Sequence, residues 1–135
     1  MDLDLRDKVC VVTGASKGIG LSTARRLCEE GAHVLFVARD ERALSLAAQR
    51  FGGEYLAADI TDPDADERIV ATCAEQMGGI DVLVNNAGTS YARALKELTE
   101  DDWRLMYELH VLAPLRLMTA AAPRQKVKGE TSIRP

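Results

Sequence analysis

Thr13-Gly14-Ala15-Ser16-Lys17-Gly18-Ile19-Gly20 is the stretch whose reading decides the fold. It follows a β-branched run, Val9 to Thr13, and leads into Leu21, Ala24, Leu27 and Cys28, which recur every three or four residues as one face of a helix does. Glycines at a strand-to-helix junction let the chain turn sharply and bring backbone N–H groups and the helix N-terminus against a pyrophosphate. The spacing is Gly-x-x-x-Gly-x-Gly, not the Gly-x-Gly-x-x-Gly of the commoner dinucleotide fingerprint. Three glycines alone would also suit plain strand-to-helix punctuation, and it is the flanking strand and helix that favour the phosphate-binding reading.

Outward from this turn the same alternation repeats. Short apolar runs at His33 to Ala38, Glu54 to Ala58 and Asp81 to Asn85 are each separated by a longer stretch with helical spacing. The first helix has Gly31 as a stop; the second carries Leu44, Ala47, Ala48 and Phe51 and ends at Gly52-Gly53. The third starts after Asp62-Pro63-Asp64, carries Ile69, Val70, Cys73 and Met77, and ends at Gly78-Gly79. Such alternation predicts an α/β protein: a parallel sheet between two helical layers, in strand order 3-2-1-4, with the first strand central.

A fourth helix is predicted from Thr99, because Thr99 with Asp102 three residues on matches a capping box ahead of a hydrophobic run. Trp103, Met106, Tyr107, Leu109 and Leu112 give it one apolar side, and Pro114 predicts a kink near Ala113. After Pro123 the pattern stops. Residues 1–122 read as one domain and 123–135 as an unpatterned basic tail, with four basic residues against Glu130.

Composition narrows the class of function. The chain has 135 residues, 47% of them hydrophobic and 28% charged, which suits one globular domain with a core. A net charge of -4 argues against nonspecific nucleic-acid binding. No apolar run approaches the ~20 residues that span a bilayer, and Met1-Asp2-Leu3-Asp4 does not open like a signal peptide, so no membrane association and a cytoplasmic location are expected. Cys10, Cys28 and Cys73 are odd in number and lie in apolar surroundings, which predicts reduced, buried thiols. His33 and His110 stand far from each other and from any cysteine pair, so no metal-ligand spacing exists.

At the glycine turn the sequence resembles the classical short-chain dehydrogenases/reductases, whose cofactor turn is Thr-Gly-x-x-x-Gly-x-Gly. Two further motifs agree in type and order. Asp59, in Ala57-Ala58-Asp59-Ile60, matches the family's adenine-contacting Asp, and Asn85-Asn86-Ala87-Gly88 matches its Asn-Asn-Ala-Gly. Alone, each of these reads as a turn. Together they fall beyond the carboxyl ends of successive strands, where open parallel sheets bind ligands. The resemblance covers about residues 5–118 and implies a three-layer Rossmann-type fold. It further implies a dinucleotide contacted by Gly14, Ser16, Lys17, Gly18, Ile19, Gly20, Asp59, Ile60, Asn86, Ala87 and Gly88.

The second strand ends Val37-Ala38-Arg39-Asp40. NAD-using members of the family usually carry Asp where Ala38 stands, and a basic residue at Arg39 or at Lys17 marks NADP preference. NADP is therefore expected over NAD, the competing reading being that Arg39 merely pairs with Asp40 or Glu41.

The family's chemistry is hydride transfer between the nicotinamide and a carbonyl or alcohol, with a Tyr as acid/base, a Lys four residues later that lowers its pKa, and a Ser that orients substrate. Tyr55, Tyr91 and Tyr107 have no Lys at that spacing; Lys96 lies five residues after Tyr91, which reads as coincidence. The family runs to roughly 250 residues, so its catalytic Ser, Tyr and Lys would all fall beyond Ala122, together with its C-terminal strands. At the family's fourth-helix Asn this chain has His110, and a histidine on a mostly apolar helix is more often structural than catalytic. Two readings stay open: the NAD(P)(H)-binding part of an oxidoreductase, not competent alone, and a non-catalytic dinucleotide-binding or interaction module. The fourth strand's apolar edge and Leu105, Leu109 or Leu112 of the fourth helix predict self-association.

Overall fold

A computed structural model describes residues 1–90 and 92–124. The reading of Tyr91, and that of the basic tail from residue 125 on, lie outside the described residues. Four strands, β1 (Val9–Thr13), β2 (His33–Ala38), β3 (Glu54–Ala57) and β4 (Val82–Val84), alternate with helices α1 (Gly18–Glu29), α2 (Glu41–Phe51) and α3 (Ala65–Met77). They form one sheet in the order β3-β2-β1-β4, with every neighbouring pair parallel, as the alternation predicts. β3 and β4 are shorter than the runs Glu54 to Ala58 and Asp81 to Asn85 predict. β4 starts after Asp81, whose carboxylate accepts from the Val9 N–H at 2.8 Å, and ends where the Asn86 N–H turns to the Thr13 hydroxyl at 3.0 Å.

Period-two alternation places neighbouring residues of one strand in different layers. Cys10 and Val12 of β1, with Val34 and Phe36 of β2, pack under α1 and α2 against Ala24, Leu44 and Ala48. Val11, Leu35 and Val37 face the other way, into Ile69, Val70 and Cys73 of α3 and Ala113, Leu117 and Ala121 beyond. Both faces of β1 and β2 are thus covered, which is why their residues from Val9 to Thr13 and from Val34 to Val37 are buried throughout.

The fourth helical stretch is three pieces: α4 (Glu100–Tyr107), a π turn (Glu108–Leu112) and α5 (Ala113–Ala121), followed by a 3-10 turn (Ala122–Arg124). Thr99 and Asp102 make the predicted capping box reciprocally, at 3.1 and 2.9 Å. The distortion expected near Ala113 is the π turn. Pro114 has no N–H to offer the carbonyl four residues back, so the helix widens ahead of it. The single apolar side read from the sequence is two sides. Leu109 packs inward with Ala113 and Leu117, whereas Trp103, Leu105, Tyr107, Val111, Leu115 and Met118 are exposed. Of the residues expected on the outside, Leu105 is exposed, while Leu109 and Leu112 are half-buried.

Cys10 and Cys73 are buried, and burial pushes their thiols up to about 11 and about 12. Cys28 corrects the expectation of three buried thiols: it sits half-buried in the last turn of α1.

Candidate functional site

Because all four strands are parallel, their carboxyl ends share one edge of the sheet. That edge gathers Gly14 to Gly20 after β1, Arg39 after β2, Asp59 and Ile60 after β3, and Asn85 to Gly88 after β4.

The glycine turn is tied down from three sides. The Ala15 N–H donates to Val37 O at 3.1 Å, fixing the turn to β2. Thr13 is fully buried, and its hydroxyl oxygen accepts from the backbone N–H groups of Asn86 and Ala87, both at 3.0 Å. The Asn86 side-chain amide donates back to Thr13 O at 3.0 Å and Gly14 O at 3.3 Å. Two motifs more than 70 residues apart in sequence are therefore one unit. Thr13 is the residue that sequence reasoning missed as a site residue; its place as the one polar residue closing the run Val9 to Thr13, directly before Gly14, was the available signal.

Close packing explains the glycines. Gly14 adopts φ +66°, and a Cβ there would lie 2.8 Å from Asn86 Nδ2. At Gly20 a Cβ would run into the Gly14 carbonyl and the Asn86 amide.

The start of α1 is unlike the other helix starts that follow loops. Lys17, its N-cap, makes no side-chain capping bond, and the first turn holds no acidic residue. α2 is capped by Asp40, which accepts from the Ala43 N–H at 3.0 Å; α3 has Asp66 and Glu67 in its first turn; α4 has its box. A helix N-terminus presents N–H groups without intrahelical partners and a partial positive charge, and at α1 no anionic side chain of the helix answers them. Ile19 is exposed and Ser16 half-buried beside it.

Around this centre the predicted residues differ in what they offer. Lys17 and Arg39 are both exposed, and neither forms an ion pair among the described residues. Asp40 caps α2 by accepting from the Ala43 N–H, and among the described residues Arg39 forms a salt bridge with neither Asp40 nor Glu41. Burial pushes the Asp59 carboxyl up, but the Thr61 N–H and hydroxyl, at 3.0 and 2.7 Å, together with the Arg39 charge, outweigh it and hold the group below its ordinary value. Ile60 is buried in the core, so its side chain belongs to the packing below this edge. Asn86, half-buried, has spent its amide hydrogens on the turn. Ala87 is half-buried and Gly88 exposed beside His110.

Among the described residues no group of three or more His, Cys, Asp or Glu has metal-binding geometry, and no helix is long and apolar enough to cross a membrane.

Comparison with known proteins agrees with this geometry. The chain is 34% identical over 135 residues to dehydrogenase/reductase SDR family member 4 of Pongo abelii, covering 96% of this chain and 49% of that protein. It superposes on L-sorbose reductase from Gluconobacter frateurii, complexed with NADPH and L-sorbose, with TM-score 0.84 and 37% identity over 91% of this chain and 49% of that one. A short-chain dehydrogenase/reductase of Brucella melitensis gives TM-score 0.89 at 29% identity, over 93% and 55% of the two chains. The chain thus spans about half the length of the relatives it matches. With the short-chain dehydrogenase pattern matched over residues 8–133, the chain belongs to the short-chain dehydrogenase family.

Proposed function

We propose that residues 1–122 hold a dinucleotide, NADP(H) in preference to NAD(H), for an oxidoreductase of this family. One observation carries the reading: the α1 N-terminus is left without cap or acid behind a glycine turn that Thr13 and Asn86 hold rigid. That arrangement fits a pyrophosphate, with Gly14, Ser16, Gly18, Ile19 and Gly20 close to it and Lys17 beside it. Asp59, Ile60, Asn86, Ala87 and Gly88 follow β3 and β4 at the same edge of the sheet, where the rest of the dinucleotide would lie. The bound dinucleotide would supply a hydride to a carbonyl, or accept one from an alcohol.

Arg39 favours the phosphorylated form, since an exposed cation at the end of β2, in no salt bridge among the described residues, attracts a 2′-phosphate and Ala38 offers no carboxylate to repel it. The L-sorbose reductase that this chain resembles was seen with NADPH. Calorimetric titration of both dinucleotides tests the preference: NADPH is expected to bind at least tenfold more tightly than NADH, with the gap narrowing as salt rises. Combined Ala38→Asp and Arg39→Leu substitution is expected to reverse the order. Equal affinities in the unmodified chain would remove the reading.

Proton transfer is a separate matter. None of the three tyrosines has a lysine four residues on, and His110 has both ring nitrogens bonded to backbone. This stretch alone is expected to turn over no ketone or aldehyde while still binding NADPH, because lost general acid–base help typically costs ~10²- to 10⁴-fold. Substrate-dependent NADPH oxidation by the purified 14.7 kDa species would contradict that. A cytoplasmic location belongs to the same reading, and so does self-association through the exposed face of Trp103, Tyr107, Val111, Leu115 and Met118 and the edge of β4 that pairs with no strand among the described residues. Light scattering at high concentration tests the association.

A further inference from the structure

We propose that His110 is a positioning residue for the dinucleotide: its imidazole fixes the backbone of Gly88 and Thr89, and so the Asn86 to Gly88 segment that follows β4. The inference rests on the dinucleotide reading and adds to it a residue outside the three motifs.

The protonation pattern follows from the partners. His110 Nδ1 lies 2.9 Å from Met106 O, and a carbonyl oxygen can only accept, so Nδ1 carries the hydrogen. Nε2 is then left with its lone pair, and the Thr89 N–H donates to it at 3.1 Å. One neutral tautomer satisfies both contacts at once. Leucine could make neither contact.

Two further observations place this ring where it matters. A Cβ on Gly88 would lie 2.8 Å from Nε2 and 3.2 Å from Cδ2, so the imidazole rests directly on the Gly88 backbone. Gly88 is not among the glycines with positive φ; what a side chain there would meet is the His110 ring, which it would push from its present contacts. His110 also sits in the π turn Glu108–Leu112, with Met106 anchoring it from the turn before. The helix thereby reaches across 21 residues of sequence to the end of the Asn-Asn-Ala-Gly stretch, whose other end is held by Thr13. Thr13 and His110 thus grip the same short segment from its two sides.

Without His110 the Gly88–Thr89 backbone regains freedom that a ligand must remove on binding, a penalty of the order of ordering one residue, and NADPH affinity is expected to fall about tenfold. Three variants separate positioning from mere filling of space. Glutamine places an acceptor oxygen about where Nε2 stands, asparagine places its amide about where Nδ1 stands, and leucine supplies volume alone. The experiment pairs amide hydrogen exchange at Thr89 with calorimetric titration of NADPH, in the unmodified chain and in His110→Gln, His110→Asn and His110→Leu. Glutamine is expected to keep Thr89 protected and NADPH affinity within about twofold; asparagine and leucine are expected to lose both together. Imidazole ¹⁵N shifts are expected to report a protonated Nδ1 and a bare Nε2. NADPH binding by His110→Leu as tight as by the unmodified chain overturns the positioning role, as does a Thr89 amide that exchanges equally fast in both. Should the unmodified chain protect Thr89 yet bind neither NADPH nor NADH, the dinucleotide reading fails and takes the positioning role with it, while the Thr89 contact itself stands.

Discussion

Helices α1 and α4 begin in opposite ways. α4 starts with Thr99 and Asp102 exchanging two hydrogen bonds, and three acidic residues fill its first turn. α1 starts at an extended lysine with no capping bond, no acid, and a glycine on either side of Ile19. The first arrangement satisfies the helix's own donors and counters its dipole; the second leaves both unanswered by the helix itself. Under the dinucleotide reading proposed above, stability and binding compete for the same backbone groups, and the two helix starts resolve that competition differently.

The strongest way to break the contrast is to spoil the α1 turn without touching its charge. In Gly20→Ala the new methyl meets the Gly14 carbonyl and the Asn86 amide, and one of these backbone-anchored groups must move. The turn then cannot keep both its own shape and its tie to β4. NADPH affinity is expected to fall more than about 100-fold, with stability lower by about 1–3 kcal/mol as for other overpacked sites. Unchanged binding by a folded Gly20→Ala chain would show that the turn does not hold the dinucleotide.

A subtler change gives α1 what α4 already has. Lys17→Asp supplies an N-cap carboxylate at a residue whose backbone, φ -159° and ψ 170°, is already extended as an N-cap requires. Thermal stability is expected to rise, by up to about 1 kcal/mol, while NADPH affinity drops at least tenfold, because a fixed anion now occupies the place of the mobile one. The mirror experiment, Thr99→Ala, is expected to cost about 1 kcal/mol of stability and leave affinity unchanged. If Lys17→Asp lowered stability, or left binding intact, the two helix starts would not differ in purpose.

How far this was readable beforehand depends on the range of the contacts involved. The capping box, the strand–helix alternation and the glycine spacing are local patterns, and sheet order followed from where such a turn must lie. What escaped sequence reading is tertiary. That Asn86 spends its amide on Thr13 and Gly14 depends on residues more than 70 positions away. The two-sided character of α4 to α5 escaped because the π turn shifts the helical phase midway, so that spacing counted through Glu108–Leu112 merges two faces into one. His110 was readable as a departure from the family's Asn, but its partner Thr89 was not.

The smallest expected effect separates the same two regions by their carboxylates. Asp59, after β3, and Asp102, in the α4 cap, both have carboxyls held below their ordinary values. At Asp59 burial opposes the shift and the Thr61 hydrogen bonds and Arg39 charge override it; at Asp102 the Thr99 N–H leads. A carboxyl whose folded pKa is depressed contributes stability that is fully present above its unfolded value, near ~3.9, and is lost as pH falls through the folded one. Both groups therefore belong to the acid limb of the stability profile, below about pH 4, and neither affects stability at neutral pH through titration. Solvent screens both, so Asp59→Asn and Asp102→Asn are each expected to flatten that limb only slightly in melting curves taken between about pH 2 and 5. Affinity tells them apart: Asp59→Asn is expected to weaken NADPH binding severalfold at pH 7, and Asp102→Asn to leave it unaltered. A steeper acid limb in either variant would mean that its carboxyl is not held low in the folded chain. Equal NADPH affinities in the two would mean that Asp59, for all its place at the end of β3, is a turn-forming residue and nothing more.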